Sequence, residues 1–291
     1  MLLKLIGKTA FVFGALSLAP CSAQALEVEM VVGKKFSSTS SIIHGASDAV
    51  VIDAQMLNST AQMIVDDLKA RNLNLKAVFI THAHPDHAFG LDVITRAYPD
   101  AQILANPAVA QSFRTQMPKF LGFLSKKLGD QAPSKLIFPT AFSGSSFELE
   151  GEKIEIRYLT QGDTRNTSWF HVPSAKTAIA GDMVYSNTPA WTADSNPTER
   201  AEWLQNLSIL ENSFNALGVE RLIPGHIEAG DELSPSEMIA YTATYLNVFS
   251  MAVSSSKTPE EAVEIVFKHY PNPKTKRVIE RGVKHYFSAG H

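Results

Sequence analysis

The amino-acid sequence predicts an α/β sandwich. Two successive rounds of strand and helix patterns run along the chain, and each round ends in a loop carrying histidine or aspartate. No Gly/Ser-rich linker, charge block or internal repeat separates the rounds, so residues 26–291 read as one domain. At 45% hydrophobic composition, such a chain can bury a sizeable core without cross-links.

Residues 1–25 stand apart. Lys4 and Lys8 precede an apolar stretch from Ala10 to Ala19, and Ala23-Gln24-Ala25 follows. That layout predicts a secretory signal peptide cleaved after Ala25, and hence a periplasmic or secreted protein. The apolar stretch is too short to span a bilayer, so no stable membrane insertion is expected after cleavage. A lipid-modified Cys21 is the alternative, but the neighbouring Pro20 fits a lipoprotein signal badly. Cys21 is the only cysteine, so the exported chain is expected to have neither disulfide nor thiolate ligand. The net charge is −3, and cleavage removes two lysines and no acid. A mildly acidic product is unsuited to nucleic acid or anionic membranes; the expected partner is a small-molecule substrate.

The elements follow in order. "VEMVV", "SSIIHG" and "AVVID" read as short strands. "NSTAQMIVDDLKARN" places Ala61, Ile64, Val65 and Leu68 at helical spacing. "LKAVFI" is a buried strand, "GLDVITRAY" a helix and "AQILA" a strand. Residues 106–130 are mostly helical, with an apolar stripe of Phe113, Met117, Phe120, Leu121 and Leu124 that packs as core or lines a substrate pocket as a lid. "SSFELE", "EKIEIRYL", "TSWFHV" and "TAIAGD" are further strands. Three helices announce their starts at Asn196, Ser234 and Thr258. Each has a capping side chain, proline at the first helical position and glutamate three residues after the cap. "RLIPGH" reads as a strand ending in a turn.

The chemistry concentrates in "THAHPDH", Thr81 to His87, directly after a strand. In extended backbone, residues i and i+2 point the same way, so His82 and His84 can grip one metal ion. Pro85 breaks the strand, and the turn can send Asp86 and His87 toward a second ion. Neutral imidazoles mixed with carboxylate suit zinc.

This H-x-H-x-D-H loop resembles that of the metallo-β-lactamase superfamily, and the likeness extends over nearly the whole of residues 26–291. Family members carry a second loop of the form G-H-[ST], then a strand, a proline turn, a strand and G-D, and a last histidine in a P-G-H turn. The corresponding stretches here are "QGDTRNTSWFHVPSAKTAIAGD" and "IPGHIEAGD". The resemblance implies a four-layer αββα sandwich holding two divalent metal ions, zinc first, with manganese or iron as alternatives. It implies that His82 and His84 serve the first ion, that Asp86, His87 and His226 serve the second, and that Asp182 bridges them. Asp53 is expected to order the loop, not to bind metal. The departure is Asp163, which stands where the family places a histidine. Asp163 is the expected third ligand of the first ion; His171 as a substitute, or a single-metal site without that ligand, are the alternatives.

The implied activity is hydrolysis of an acyl bond by a metal-bridging hydroxide, with Asp86 orienting it and carrying the proton to the leaving group. Tyr185, three residues after Asp182, matches the offset of a tyrosine in the superfamily's lactonases, where it donates to a substrate oxygen; a packed aromatic is the competing reading. Trp191 and the aromatic stripe offer an apolar wall. An ester or lactone hydrolase is therefore expected. The alternatives are a β-lactamase, although those branches have Cys or Ser where Asp182 stands, a glutathione-type thioesterase, and a non-catalytic metal- or partner-binding protein.

Overall fold

Alternation within each strand dictates the layering, because neighbouring residues face opposite sides of a sheet. The computed structural model describes residues 24–228, 230 and 233–290; the expected signal segment up to Ala23 lies outside them, as does His291. The first sheet has the order β1-β2-β3-β4-β5-β6. Its strands are β1 (Glu27–Val32), β2 (Thr39–His44), β3 (Asp48–Ile52), β4 (Asn74–Ile80), β5 (Gln102–Ala105) and β6 (Thr140–Ala141). The helices of this half are α1 (Asn58–Ala70), α2 (Pro85–Ala88), α3 (Leu91–Ala97) and α4 (Pro107–Leu128). The second sheet runs β11-β10-β9-β8-β7. Its strands are β7 (Ser146–Leu149), β8 (Glu152–Gln161), β9 (Arg165–Val172), β10 (Thr177–Ser186) and β11 (Arg221–Ile227), and with them go α5 (Pro197–Leu217), α6 (Pro235–Ser255), α7 (Pro259–His269) and α8 (Lys276–Ser288).

Three cores separate four layers. Val51, Val78 and Ile80 pack outward on Ile64, Val65 and Leu68 of α1, Ile94 of α3, and Phe113 and Met117 of α4. Val50, Ile52 and Phe79 face the other way, onto Ile154, Ile156, Phe170, Val172 and Ile179 of the second sheet. Phe79 meets Phe142, Phe147 and Phe170 edge-on at 5.4, 5.5 and 5.6 Å. Each such fully buried side chain contributes about 1.5–3 kcal/mol of hydrophobic stabilisation. Trp169, Ala178 and Ala180 face outward onto Trp203, Leu207 and Leu210 of α5 and Tyr245 and Phe249 of α6. The architecture is the αββα sandwich.

Five details depart from the expectations. β10 runs on through Asp182 to Ser186, and β11 carries straight through Pro224 and Gly225 where a turn was expected. β11 is an edge strand, and Pro224, which lacks an N–H, presents its carbonyl away from β10, where it accepts from Thr39 Oγ1 at 2.6 Å. The caps of α5 and α6 are reciprocal with Glu199 and Glu237, but Glu261 accepts from the Lys257 N–H and not from its own cap residue. α8 was not foreseen; Ile279 and Val283 bury it, and its first residue has no capping side chain. In α4 the stripe divides: Phe113 and Met117 are buried core, whereas Phe120, Leu121 and Leu124 are half-buried. Among the described residues no helix is long and apolar enough to cross a membrane.

Candidate metal centre

The seven predicted donors converge at the edge where the two sheets meet. His82, His84, Asp163 and Asp182 bring ligand atoms within 4.8 Å of one another, and so do Asp86, His87 and His226. His84 Nδ1 lies 2.9 Å from Asp163 Oδ2, and His82 Nε2 lies 3.9 Å from the same oxygen. In the second group His226 Nε2 stands 3.2 Å from Asp86 Oδ2, and His87 Nε2 stands 3.7 Å from it. Asp182 faces both groups. Its Oδ1 is 3.1 Å from His87 Nε2, and its Oδ2 is 3.3 Å from His226 Nε2 and 3.8 Å from His82 Nε2. Tyr185 donates its hydroxyl to Asp182 Oδ2 at 2.6 Å, and its buried ring stacks on that of His226 at 5.2 Å.

Local backbone chemistry explains the convergence. The chain from Thr81 to Ala83 bends away from the β4 ladder, and Pro85 opens the short α2 that carries Asp86 and His87. Asp53 and Gln55 have φ of 63° and 68°, a left-handed conformation that costs non-glycine residues energy. The strained turn aims the Asp53 carboxylate at Thr81 N and Oγ1 and at His87 Nδ1, each at 2.8 Å. Asp53 thus orders the motif loop, as expected, and stays outside both donor groups. Two glycines make room. At Gly181, φ is +53° and a Cβ would press on Thr81; at Gly225 a Cβ would overlap the Asp182 carboxylate. From α5, Asn206 Nδ2 donates to Gln161 O at 2.9 Å and Trp203 Nε1 to Met183 O at 3.0 Å, fixing the backbone beside Asp163 and Asp182.

The electrostatics show what the centre favours. Asp53, Asp163 and Asp182 are buried, and Asp86 is mostly shielded. Burial pushes the Asp163 carboxyl up to about 7; His84 opposes the shift and the charge of Asp182 adds to it. Burial disfavours protonation of His226, but Asp182 and Asp86 outweigh it and hold the imidazole at about 10. His84 and His87 are likewise raised against their burial, chiefly by Asp163 and Asp182 respectively. Burial and the neighbouring His87 push His82 the other way. Burial opposes ionisation of Asp86 and Asp182, yet the surrounding imidazoles keep both below the usual carboxylate range. The carboxylates therefore draw positive charge into the centre, as protons on imidazoles or as cations.

The donor set fits divalent ions on geometry as well. His82 Nε2, His87 Nε2, both Asp163 oxygens and Asp182 Oδ1 are buried without a hydrogen-bond partner. The short nitrogen–oxygen approaches among them lack hydrogen-bond alignment, so these lone pairs face a common volume instead of each other. Buried polar atoms without partners are costly, and ion coordination relieves that cost.

His171 does not join this set. It sits on β9 opposite Glu155, with Nδ1 3.3 Å from Glu155 Oε2. The sequence left Asp194 unmarked, although its Oδ2 lies 3.1 Å from His84 Nε2. No motif surrounds Asp194, and 110 residues separate it from His84. Phe120 of α4 approaches the His84 ring edge-on at 6.3 Å.

A two-sheet sandwich with a histidine–aspartate centre at its edge defines a class of metallohydrolase fold. The chain belongs to the metallo-beta-lactamase superfamily, whose family model matches residues 33–226. It is 23% identical over 216 residues to metallo-beta-lactamase IND-1 of Chryseobacterium indologenes, covering 74% of this chain and 80% of that one. It is 22% identical over 202 residues to the hydroxyacylglutathione hydrolase of Synechococcus sp. (strain WH7803), covering 66% and 68%. Among solved structures, the metallo-beta-lactamase from Pontibacter korlensis superposes with a TM-score of 0.55 at 16% identity, over 76% of this chain and 94% of that one. Metallo-beta-lactamase IND-7 superposes with a TM-score of 0.56 at 22% identity, over 77% and 94%. These structures share the fold.

Proposed function

We propose that the protein is an exported hydrolase with two divalent ions, zinc first, that cleaves an ester or lactone acyl bond. The observation that carries this reading is the buried Asp182 carboxylate, which faces both donor groups and receives the Tyr185 hydroxyl. When bound, the ions supply an activated water near neutral pH and a Lewis acid for the acyl carbonyl. Asp86 stands at the edge of the second group, partly open to solvent, where it can take a proton from that water and deliver it to the leaving oxygen. Tyr185 is held on Asp182, one of the residues that would hold the ions, where its O–H could turn to donate to a substrate oxygen. Phe120 and Trp191 flank the His84 side and offer an apolar wall for the acyl portion.

The β-lactamase reading is the second one, favoured by the similarity to IND-1. Aspartate at 182, in place of the Cys or Ser of those branches, argues against it. Zinc- and manganese-loaded protein assayed on lactones, aryl esters, thioesters and cephalosporins separates the readings. Turnover confined to cephalosporins overturns the ester or lactone assignment. The export reading rests on residues 1–25, and N-terminal sequencing of the exported form tests it: the chain should begin at Leu26.

A further inference from the structure

Each imidazole at the centre has one nitrogen facing the donor volume and the other held from outside. For three of them the outer nitrogen is Nδ1: His82 on Thr81 Oγ1 at 2.8 Å, His87 on Asp53 Oδ2 at 2.8 Å, and His226 on Phe36 O at 2.9 Å. His84 is reversed. Its Nδ1 faces Asp163, and its Nε2 meets Asp194 Oδ2 at 3.1 Å.

The protonation of that outer contact follows from its third member. Trp191 Nε1 lies 2.6 Å from the same Asp194 oxygen. An indole N–H only donates and a carboxylate only accepts, so Asp194 Oδ2 is the acceptor for both. His84 must then carry a proton on Nε2, so Nδ1 is the nitrogen that can offer a lone pair to the donor volume once its own proton has left. The loop bearing Asp194 is itself anchored. Buried Arg200 donates through Nη1 to Ser195 O at 2.5 Å, and its guanidinium lies 5.2 Å from the Phe249 ring and 5.7 Å from that of Tyr286. From α8, Gly282 packs so closely on Thr192 that a Cβ would overlap its hydroxyl.

We infer that Asp194 is the positioning residue of the first metal site, fixing His84 as an Nδ1 ligand, and that Trp191 and Arg200 hold Asp194 in place. Asp194 does for His84 what Asp53 does for His87, but from a partly exposed loop on the opposite sheet. Such outer carboxylates orient the ring and raise ligand basicity. The inference rests on the metal-centre reading of the proposed function.

The test uses the full exported chain with zinc or cobalt alone. Stepwise affinities come from chelator competition, and the His84 ring protonation from nitrogen–proton correlation spectra of the imidazoles. Asp194→Ala should weaken the first ion about 10- to 100-fold and leave the second unchanged. The same variant should lose the hydrogen-bonded Nε2–H signal of His84. Asp194→Asn keeps an acceptor for both donors and should recover most of the loss. A general loss of fold would weaken both ions together and would not be rescued by Asn. A wild type that takes up no metal overturns the centre and this inference with it. Normal uptake by Asp194→Ala, with the His84 signal unmoved, overturns the inference alone.

Discussion

Tyr185 and Asp182 lie three residues apart on one strand, yet the tyrosine hydroxyl donates to the aspartate carboxylate at 2.6 Å. Burial and the nearby Asp182 charge hold the phenol well above its ordinary range, so it stays a donor at all working pH values. Tyr185→Phe keeps the ring stacked on His226 and removes only the O–H. We expect kcat on the best acyl substrate to fall about 10- to 1000-fold with metal content unchanged. An unchanged kcat reduces Tyr185 to packing and withdraws the specific support for a lactone.

Asp53 is the outer carboxylate of the second donor group: its side chain accepts from Thr81 and pairs with His87, while the N–H of its left-handed backbone donates to Phe79 O at 2.9 Å. Asp53→Ala should weaken the second ion about 10- to 100-fold and the first by less, because Asp53 holds His87 directly but reaches His82 only through Thr81 Oγ1. Asp53→Asn should sit between. Undiminished affinity for both ions on chelator titration would show that Asp53 does not order the motif loop.

Gly225 lets the edge strand lie directly against Asp182. Gly225→Ala must displace either the strand or the carboxylate. We expect a stability loss of about 1–3 kcal/mol in chemical denaturation. Metal uptake should fall with it, because Asp182 faces both donor groups. Full uptake with unaltered stability would mean that β11 shifts freely.

These cases show what the sequence made legible. The motif loop is local, so His82, His84, Asp86 and His87 could be read from seven consecutive residues. Asp163, Asp182 and His226 came from the resemblance of their glycine, proline and threonine frames to the family's loops. The outer partners divide differently. Asp53 ends a recognisable strand, whereas Asp194 lies in a loop with no periodicity, and only the docking of one sheet on the other brings it to His84. Similarly, α8 had its apolar spacing in Ile279, Val283 and Tyr286, but without a cap to mark its start.

Metal uptake should release protons. The carboxylates hold His84 and His87 above their ordinary range, and His226 at about 10. Each must lose a proton before a lone pair can ligate. Affinity should therefore rise with pH across neutrality and weaken as pH falls, most steeply where several imidazoles reprotonate together. Calorimetry in buffers of different ionisation enthalpy measures the count. No proton release at pH 7 would mean that the imidazoles are already neutral, contrary to the arrangement of charges.

Asp163 carries the sharpest expectation, because the family resemblance implies an imidazole at its position and burial pushes its carboxyl up to about 7. Its Oδ2 stands 2.9 Å from His84 Nδ1, within the first donor group. A third carboxylate beside Asp86 and Asp182 removes one unit of positive charge from the loaded centre. The activated water should then be less acidic and the carbonyl less polarised. The site is also harder and richer in oxygen, so manganese or iron should compete better with zinc than at an all-histidine site. We expect a more alkaline activity optimum than in a histidine-bearing relative, and measurable turnover with manganese. Asp163→Ala should lose about one metal per chain, because His82 and His84 alone leave the first ion short of a third unshared ligand. Asp163→His should retain both ions and move the pH profile toward acid. If Asp163→Ala binds both ions as tightly as wild type, Asp163 is not a ligand. His171 does not inherit the role, since it faces Glu155 on β9, so the first ion would then rest on His82, His84 and Asp182.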